Sequence, residues 1–158
     1  MTRCTNGCRA AGWSRIANNV GKATMPEFMS TSHVDLSVSD VEASATWYCQ
    51  VLGLHRVTRA EFEDRIMVVL RHENSGLIIG LNQHARPTAD RFDERRPGLD
   101  HIGFTVAQRV DLDSWQAHFA DRGVQHSPVT DAPSGSGTAL VFRDPDNIQL
   151  EMWWSGSQ

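Results

Sequence analysis

Several things are scarce in this sequence. Its 158 residues include one tyrosine and three cysteines. An odd cysteine count leaves no closed disulfide framework, and a chain of this length buries a core without one. Cytosolic, reducing surroundings fit that usage. No apolar stretch approaches the ~20 residues of a membrane-spanning helix. Positive charge is not in excess: the formal net charge is −4, so neither nucleic acid nor a membrane surface is an expected partner. A glycine-rich phosphate loop, a nucleophile elbow and a CxxC redox pair are all missing. With 40% hydrophobic and 22% charged residues, what is left is a soluble protein with a single core.

Residues 1–28 differ from the rest. Arg3, Arg9, Arg15 and Lys22 face one acid, Glu27, and no apolar periodicity runs through them. Cys4 and Cys8 form a C-x3-C pair, but the segment contains no histidine to complete a zinc knuckle. It reads as a disordered extension or as a mispredicted start ahead of Met29. The remaining chain, 29–158, reads as one domain of two modules, 29–96 and 97–158.

The two modules follow from an internal repeat. His33-Val-Asp-Leu-Ser-Val38 and His101-Ile-Gly-Phe-Thr-Val106 share one alternating pattern, 68 residues apart, and Trp47 and Trp115 keep the same spacing. Helical stretches follow at Asp40–Leu52 and Asp111–Arg122, with Asp40 and Asp111 as N-cap candidates and Gly53 and Gly123 at the ends. Strand signals come next: Leu54–Ala60, Arg65–Leu70 and Gly76–Leu81 in one half; Gln125–Thr130, Thr138–Phe142 and Ile148–Trp153 in the other. The turn Asp144-Pro-Asp-Asn147 joins the last two. Pro87–Gly98, rich in charge, reads as a solvated linker, and Gly135-Ser-Gly137 as a flexible loop. Each half is β-α-β-β-β, an α+β fold.

Strand alternation then sorts side chains by face. Val34, Leu36 and Val38 share the helix side, leaving His33, Asp35 and Ser37 on the other. Likewise Ile102, Phe104 and Val106 leave His101, Gly103 and Thr105, and the last strand leaves Glu151 and Trp153. If these faces line one concavity, two imidazoles and a carboxylate converge, the set that holds a divalent metal and keeps other positions open. An unpaired carboxylate in the apolar stretch around Glu151 needs a cation, a proton or a partner.

The patterns His33-x-x-Leu-x-Val-x-Asp40 and Trp47-Tyr48-x-x-Val-Leu-Gly-Leu54, with Leu99–Val106 and Phe142-Arg-Asp-Pro-Asp-Asn-Ile-Gln-Leu-Glu151, resemble the vicinal oxygen chelate superfamily. That group contains glyoxalases, bleomycin-resistance proteins, fosfomycin-resistance transferases and extradiol dioxygenases. The resemblance covers residues 31–154. It implies two βαβββ modules forming a curved, cupped mixed sheet with helices on the outer face. It also implies a metal at His33, His101 and Glu151, and a homodimer.

Three departures from the family's variants bear on the chemistry. Gly80, the repeat equivalent of Glu151 when Leu77 is aligned with Ile148, stands where glyoxalase-like members have a fourth ligand. Val141 stands where ring-cleaving members have a tyrosine, three residues before the turn aspartate. Asp35 would repel the anionic phosphonate that fosfomycin-type enzymes bind. The expected protein is thus a small cytoplasmic metalloenzyme acting on an oxygen-bearing small molecule through Fe2+, Mn2+, Zn2+ or Ni2+, dioxygenase-like or lyase/isomerase-like. Asp35 and His84 are its catalytic candidates, and Ser37, Thr105 and Trp153 its substrate-lining ones. The alternative is a non-catalytic drug- or metabolite-binding protein of the bleomycin-resistance type. Whether the three ligands meet within one chain or across a module-exchanged dimer stays open, as does the substrate.

Overall fold

The computed structural model describes residues 28–87, 90–133 and 135–156. The readings of residues 1–27, including Cys4 and Cys8, lie outside them. Within the unit Thr31–Gln158, the described residues form, in chain order, β1 (Val34–Ser37), α1 (Val41–Leu52), β2 (His55–Glu61), β3 (Arg65–Arg71) and β4 (Ile78–His84). Then come β5 (Ile102–Thr105), α2 (Arg109–Asp121), β6 (Thr130–Asp131), β7 (Thr138–Arg143) and β8 (Gln149–Trp154). The sheets are ordered β1-β4-β3-β2 and β5-β8-β7-β6. In each, the first strand pairs parallel with the last and the others pair antiparallel. The expected α+β pattern of two βαβββ modules is present, as two four-stranded mixed sheets.

Helix α1 begins where Asp40 accepts the backbone N–H groups of Glu42 and Ala43, both at 3.0 Å. It ends at Gly53, whose φ of 71° lies in the left-handed region that glycine enters without strain. Val41, Ser44, Ala45, Tyr48, Val51 and Leu52 are buried, the three-and-four spacing of one apolar face. The start of α2 corrects the sequence expectation. Gln108 is the N-cap, and Asp111 acts from inside the first turn, its carboxylate accepting from Gln108 N at 2.8 Å. Arg109 and Val110 are already helical, so an acid at the third position can reach back to cap.

The strand expected over Gln125–Thr130 is mostly lost. Only Thr130–Asp131 pairs, preceded by an isolated bridge from His126 to Phe142. Pro128 has no N–H to donate to a ladder, and Val141 N donates to the Ser127 hydroxyl at 3.1 Å instead of to a strand carbonyl. The linker is also not simply solvated. Glu94 forms a two-pronged ion pair with Arg143, Arg91 donates to Pro145 O, and Asn147 donates to Phe92 O. It is docked on the β7–β8 turn.

Residues from both modules share one core cluster, running from Leu36 and Val68 to Leu150 and Met152. Trp47 and Trp115, the pair that keeps the repeat spacing, both pack against it, and Trp47 stacks on Phe142 at 6.5 Å. Burying each such aliphatic side chain stabilises the fold by about 1.5–3 kcal/mol. His118 is half-buried and bonds to the Val51 carbonyl at 2.8 Å, tying α2 to the end of α1.

One polar knot sits inside this core. The Asp144 carboxylate, 5% exposed, accepts from Tyr48 OH at 3.0 Å, Asp146 N at 2.9 Å and Ile148 N at 2.7 Å. Asp146 in turn accepts from Ser39 N at 3.1 Å and from the Ser44 hydroxyl at 3.4 Å. Asn147 completes the turn with φ 71°, a conformation asparagine tolerates. Burial raises the Asp144 pKa to about 6, and the donors only partly oppose it. A carboxyl whose folded pKa is raised favours folding below its unfolded pKa and loses that contribution as pH rises through about 6. Removing the Tyr48 hydroxyl, a donor to the ionised form, should steepen that loss. Tyr48→Phe is therefore expected to cost about 1–3 kcal/mol, more at pH 8 than at pH 5, read from urea midpoints at both pH values.

Candidate metal centre

Alternation along the strands places the chemistry. On β1, Leu36 is buried while Asp35 and Ser37 are exposed, and exposed His33 immediately precedes the strand. On β5, Gly103 and Thr105 are exposed and His101 precedes them. Both histidines have one ring nitrogen engaged. His101 Nδ1 lies 2.6 Å from Asp100 Oδ1, and His33 Nδ1 lies 2.7 Å from Ser32 Oγ. A carboxylate on one imidazole nitrogen fixes the tautomer and presents the other nitrogen as a metal donor. In both rings that nitrogen is Nε2.

Glu151 lies on β8 in register with Gly103. A β-carbon added at Gly103 would sit 3.8 Å from Glu151 Oε1, so the carboxylate leans over the bare glycine. It is half-buried, and no cation of the described residues pairs with it. His101, Gly103, Thr105, Glu151 and Trp153 line a single open concavity. Two of the three expected ligands are thus together, with Thr105 and Trp153 beside them.

The others lie elsewhere. His33 borders an apolar recess of about 500 Å³, lined among others by Leu54, Gly103, Thr105 and Trp115, so that Gly103 and Thr105 border both this recess and the concavity of His101 and Glu151. Asp35, Ser37 and His84 border another, beside the linker. His84 is the last residue of β4, and its Nε2 lies 3.3 Å from Ser37 Oγ. Residues 31–34 share their recess with residues 103–106, while residues 35–39 share theirs with residues 97–99. The edge strands β1 and β5 therefore pass in opposite senses, and His33 and His101 border different recesses. Among the described residues of one chain, no three His, Cys, Asp or Glu side chains are placed to hold a metal ion.

Residues 30–152 match the family model described as the Glyoxalase/Bleomycin resistance protein/Dioxygenase superfamily. The chain belongs to this superfamily. A solved member, the glyoxylase/bleomycin resistance protein/dioxygenase domain from Frankia sp. EAN1pec, is 35% identical with a TM-score of 0.75, covering 82% of this chain and 93% of that one. Biphenyl-2,3-diol 1,2-dioxygenase 3 of Rhodococcus globerulus is 29% identical over 124 residues, 77% of this chain. This chain spans about 60% of that relative's length. The fosfomycin resistance protein FosX of Listeria monocytogenes shares the fold. One of its mutants, solved with Mn(II) and 1S,2S-dihydroxypropylphosphonic acid, has a TM-score of 0.61 and 21% identity, covering 80% of this chain and 90% of that one.

Against the superfamily's variants, two positions in the second module gain a structural meaning. Val141 lies directly across from Glu151 on β7, so an apolar side chain stands where ring-cleaving members were expected to have a phenol. Gly137 was read only as part of a flexible loop. It is buried, and a β-carbon there would fall 2.5 Å from the Trp153 ring and 2.3 Å from the Trp154 carbonyl. The indole beside Glu151 thus rests on a bare glycine backbone, which only the folded β7–β8 pair reveals. Gly137→Ala is expected to displace the Trp153 ring and to destabilise the fold by about 1–3 kcal/mol, as overpacking does. Near-ultraviolet circular dichroism and denaturation midpoints would register both effects.

Proposed function

We propose that this superfamily member is a metal-dependent enzyme whose divalent ion is held by His101 and Glu151 of one chain and His33 of a second copy. One observation carries the reading. His101 and Glu151 line one open concavity, where no described residue partners Nε2 of the one or the carboxylate of the other, while His33 borders a different recess of the same chain. A two-fold related partner would complete a half-built donor set on an open sheet face, because contacts across an isologous interface are reciprocal and a first-module donor of each chain would then serve the second module of the other. The donor chemistry fits: two neutral imidazoles and one carboxylate suit Fe2+, Mn2+, Zn2+ or Ni2+.

Bound there, such an ion supplies Lewis acidity to an oxygen of the substrate. The chain's own groups do the rest. Asp100 and Ser32 orient the two imidazoles. Trp153 offers a flat apolar face to a planar substrate beside the ligands. Thr105 adds a hydroxyl to the same wall, and the Ser37–His84 pair is a hydrogen-bonded acid–base unit at the other cup. The similarity to a biphenyl-diol dioxygenase supports an oxygen-bearing small substrate and dioxygenase-like chemistry. The apolar Val141 opposite Glu151 supports lyase or isomerase chemistry instead, since ring cleavage there lacks a phenolic acid.

Elemental analysis of protein purified without chelator should find one divalent ion per chain, lost in His101→Ala and Glu151→Gln. Mixing tests the shared site. His33→Ala and Glu151→Gln should each be metal-free alone. After subunit exchange, about a quarter of the sites should refill, because a mixed dimer has one intact site. No refilling places the ligands within one chain. A metal-free wild type favours the drug- or metabolite-binding alternative.

A further inference from the structure

Apart from His33, the apolar recess of about 500 Å³ takes no part in the chemistry proposed above. It opens between the modules. The start of β1, the end of α1 and the β3–β4 turn form one side of it, and β5, β8 and α2 the other. Its volume falls within the range of sites that hold drug-sized molecules. Val34, Phe104 and Met152, which line it, belong to the core side of their sheets. Glu151 and Trp153 alternate to the other side, so the recess and the concavity at Glu151 draw on opposite faces of the second sheet.

The wall of this recess is uncharged. None of the described residues that line it is Asp, Glu, Lys or Arg, although these make up 22% of the chain. The recess beside the linker is the contrast, with three arginines and four aspartates in its wall. An ion brought into the apolar recess would lose its hydration and meet no opposite charge in exchange. Val34, Leu77, Phe104, Val106 and Trp115 are only partly buried by the core they pack on, and all five line this one hollow. Apolar surface gathered in a concavity is what an apolar ligand covers.

One polar group gives the hollow a direction. Ser75 N donates to His72 Nδ1 at 3.3 Å. The Ser75 hydroxyl, which accepts from Leu77 N at 3.3 Å, lies 2.8 Å from the same nitrogen. A ring nitrogen that accepts carries no proton, so the proton of the His72 ring is on Nε2. No hydrogen bond of a described residue takes up that N–H.

We infer that this recess is a second binding site, for an uncharged, ring-bearing small molecule. Phe104 and Trp115 pack against its rings, and its carbonyl or ether oxygen accepts from His72 Nε2. A cavity of about 150 Å³ admits benzene, so this one has room for two fused rings. The site needs no metal ion and stands apart from the centre proposed above.

The probe is 2-acetylnaphthalene, a neutral bicyclic ketone, with 2-naphthoate as its charged counterpart of similar shape. Each is followed by equilibrium dialysis against the full chain, with and without chelator. The ketone should bind saturably, one per chain, and chelator should leave its affinity unchanged. The carboxylate should bind at least about 10-fold more weakly. Leu77→Trp places an indole in the recess from a half-buried position beside the β3–β4 turn, and should weaken ketone binding by at least about 10-fold, since the space is taken. His72→Phe reads the same site through its polar end. It should weaken the ketone by about 2- to 10-fold and leave naphthalene, which has no oxygen, bound as before. Circular dichroism checks that both variants are folded. No saturable uptake of the ketone, equal binding of the carboxylate, or unchanged ketone binding in both folded variants overturns the inference. So does loss of ketone binding in chelator or in Trp153→Ala, either of which would place the ketone in the concavity at Glu151.

Discussion

The structure turns on a buried carboxylate. Asp144 is taken out of water in the turn between β7 and β8 and is held there by two backbone N–H groups and the hydroxyl of Tyr48 on α1. An ionisable group in a core is costly unless its bonds are complete, so the turn and the helix are constrained together. Asp146 extends the tie to Ser39 and Ser44, and Arg143, Asn147 and the linker fasten the same turn from outside. The first module is thereby bolted to the second through its helix and the end of β1.

That attachment has a consequence for chemistry. With α1 committed to both modules and the core shared between them, the polar faces of the two sheets are left toward solvent. The edge strands β1 and β5 pass in opposite senses, so the leading histidines border different recesses in one chain. The same packing leaves His33 in a different recess from His101 and Glu151 in one chain, which is the physical ground for proposing a site shared between copies.

Glycines recur where polar side chains need room. A β-carbon at Gly80 would collide with the Asp35 carboxylate and one at Gly137 with the Trp153 ring, whereas one at Gly103 would meet Glu151 at ordinary contact distance. In a sheet, paired residues on neighbouring strands stand side by side. A side chain that leans across its neighbour, as Asp35 and Trp153 do, therefore dictates a residue without a β-carbon there. Such glycines are not at turns, and their role is spatial rather than conformational.

Much was legible in the order of residues. The repeat of His33 and His101 with Trp47 and Trp115 gave away two equivalent modules, and period-two alternation assigned His33, Asp35, His101, Glu151 and Trp153 to the polar faces, because side-chain direction in a strand is a local property. Asp40 and Gly53 bounded α1 for the same reason. Local signals failed where a distant partner decided. Pro128 and Ser127 cut β6 short, and the linker's charges found Arg143. His118 found the end of α1, and Tyr48 found Asp144. The chain's own alphabet settles which faces carry the donors. Which donors meet is settled only by how the two sheets pack, since strand direction and sheet order depend on contacts between residues a hundred positions apart.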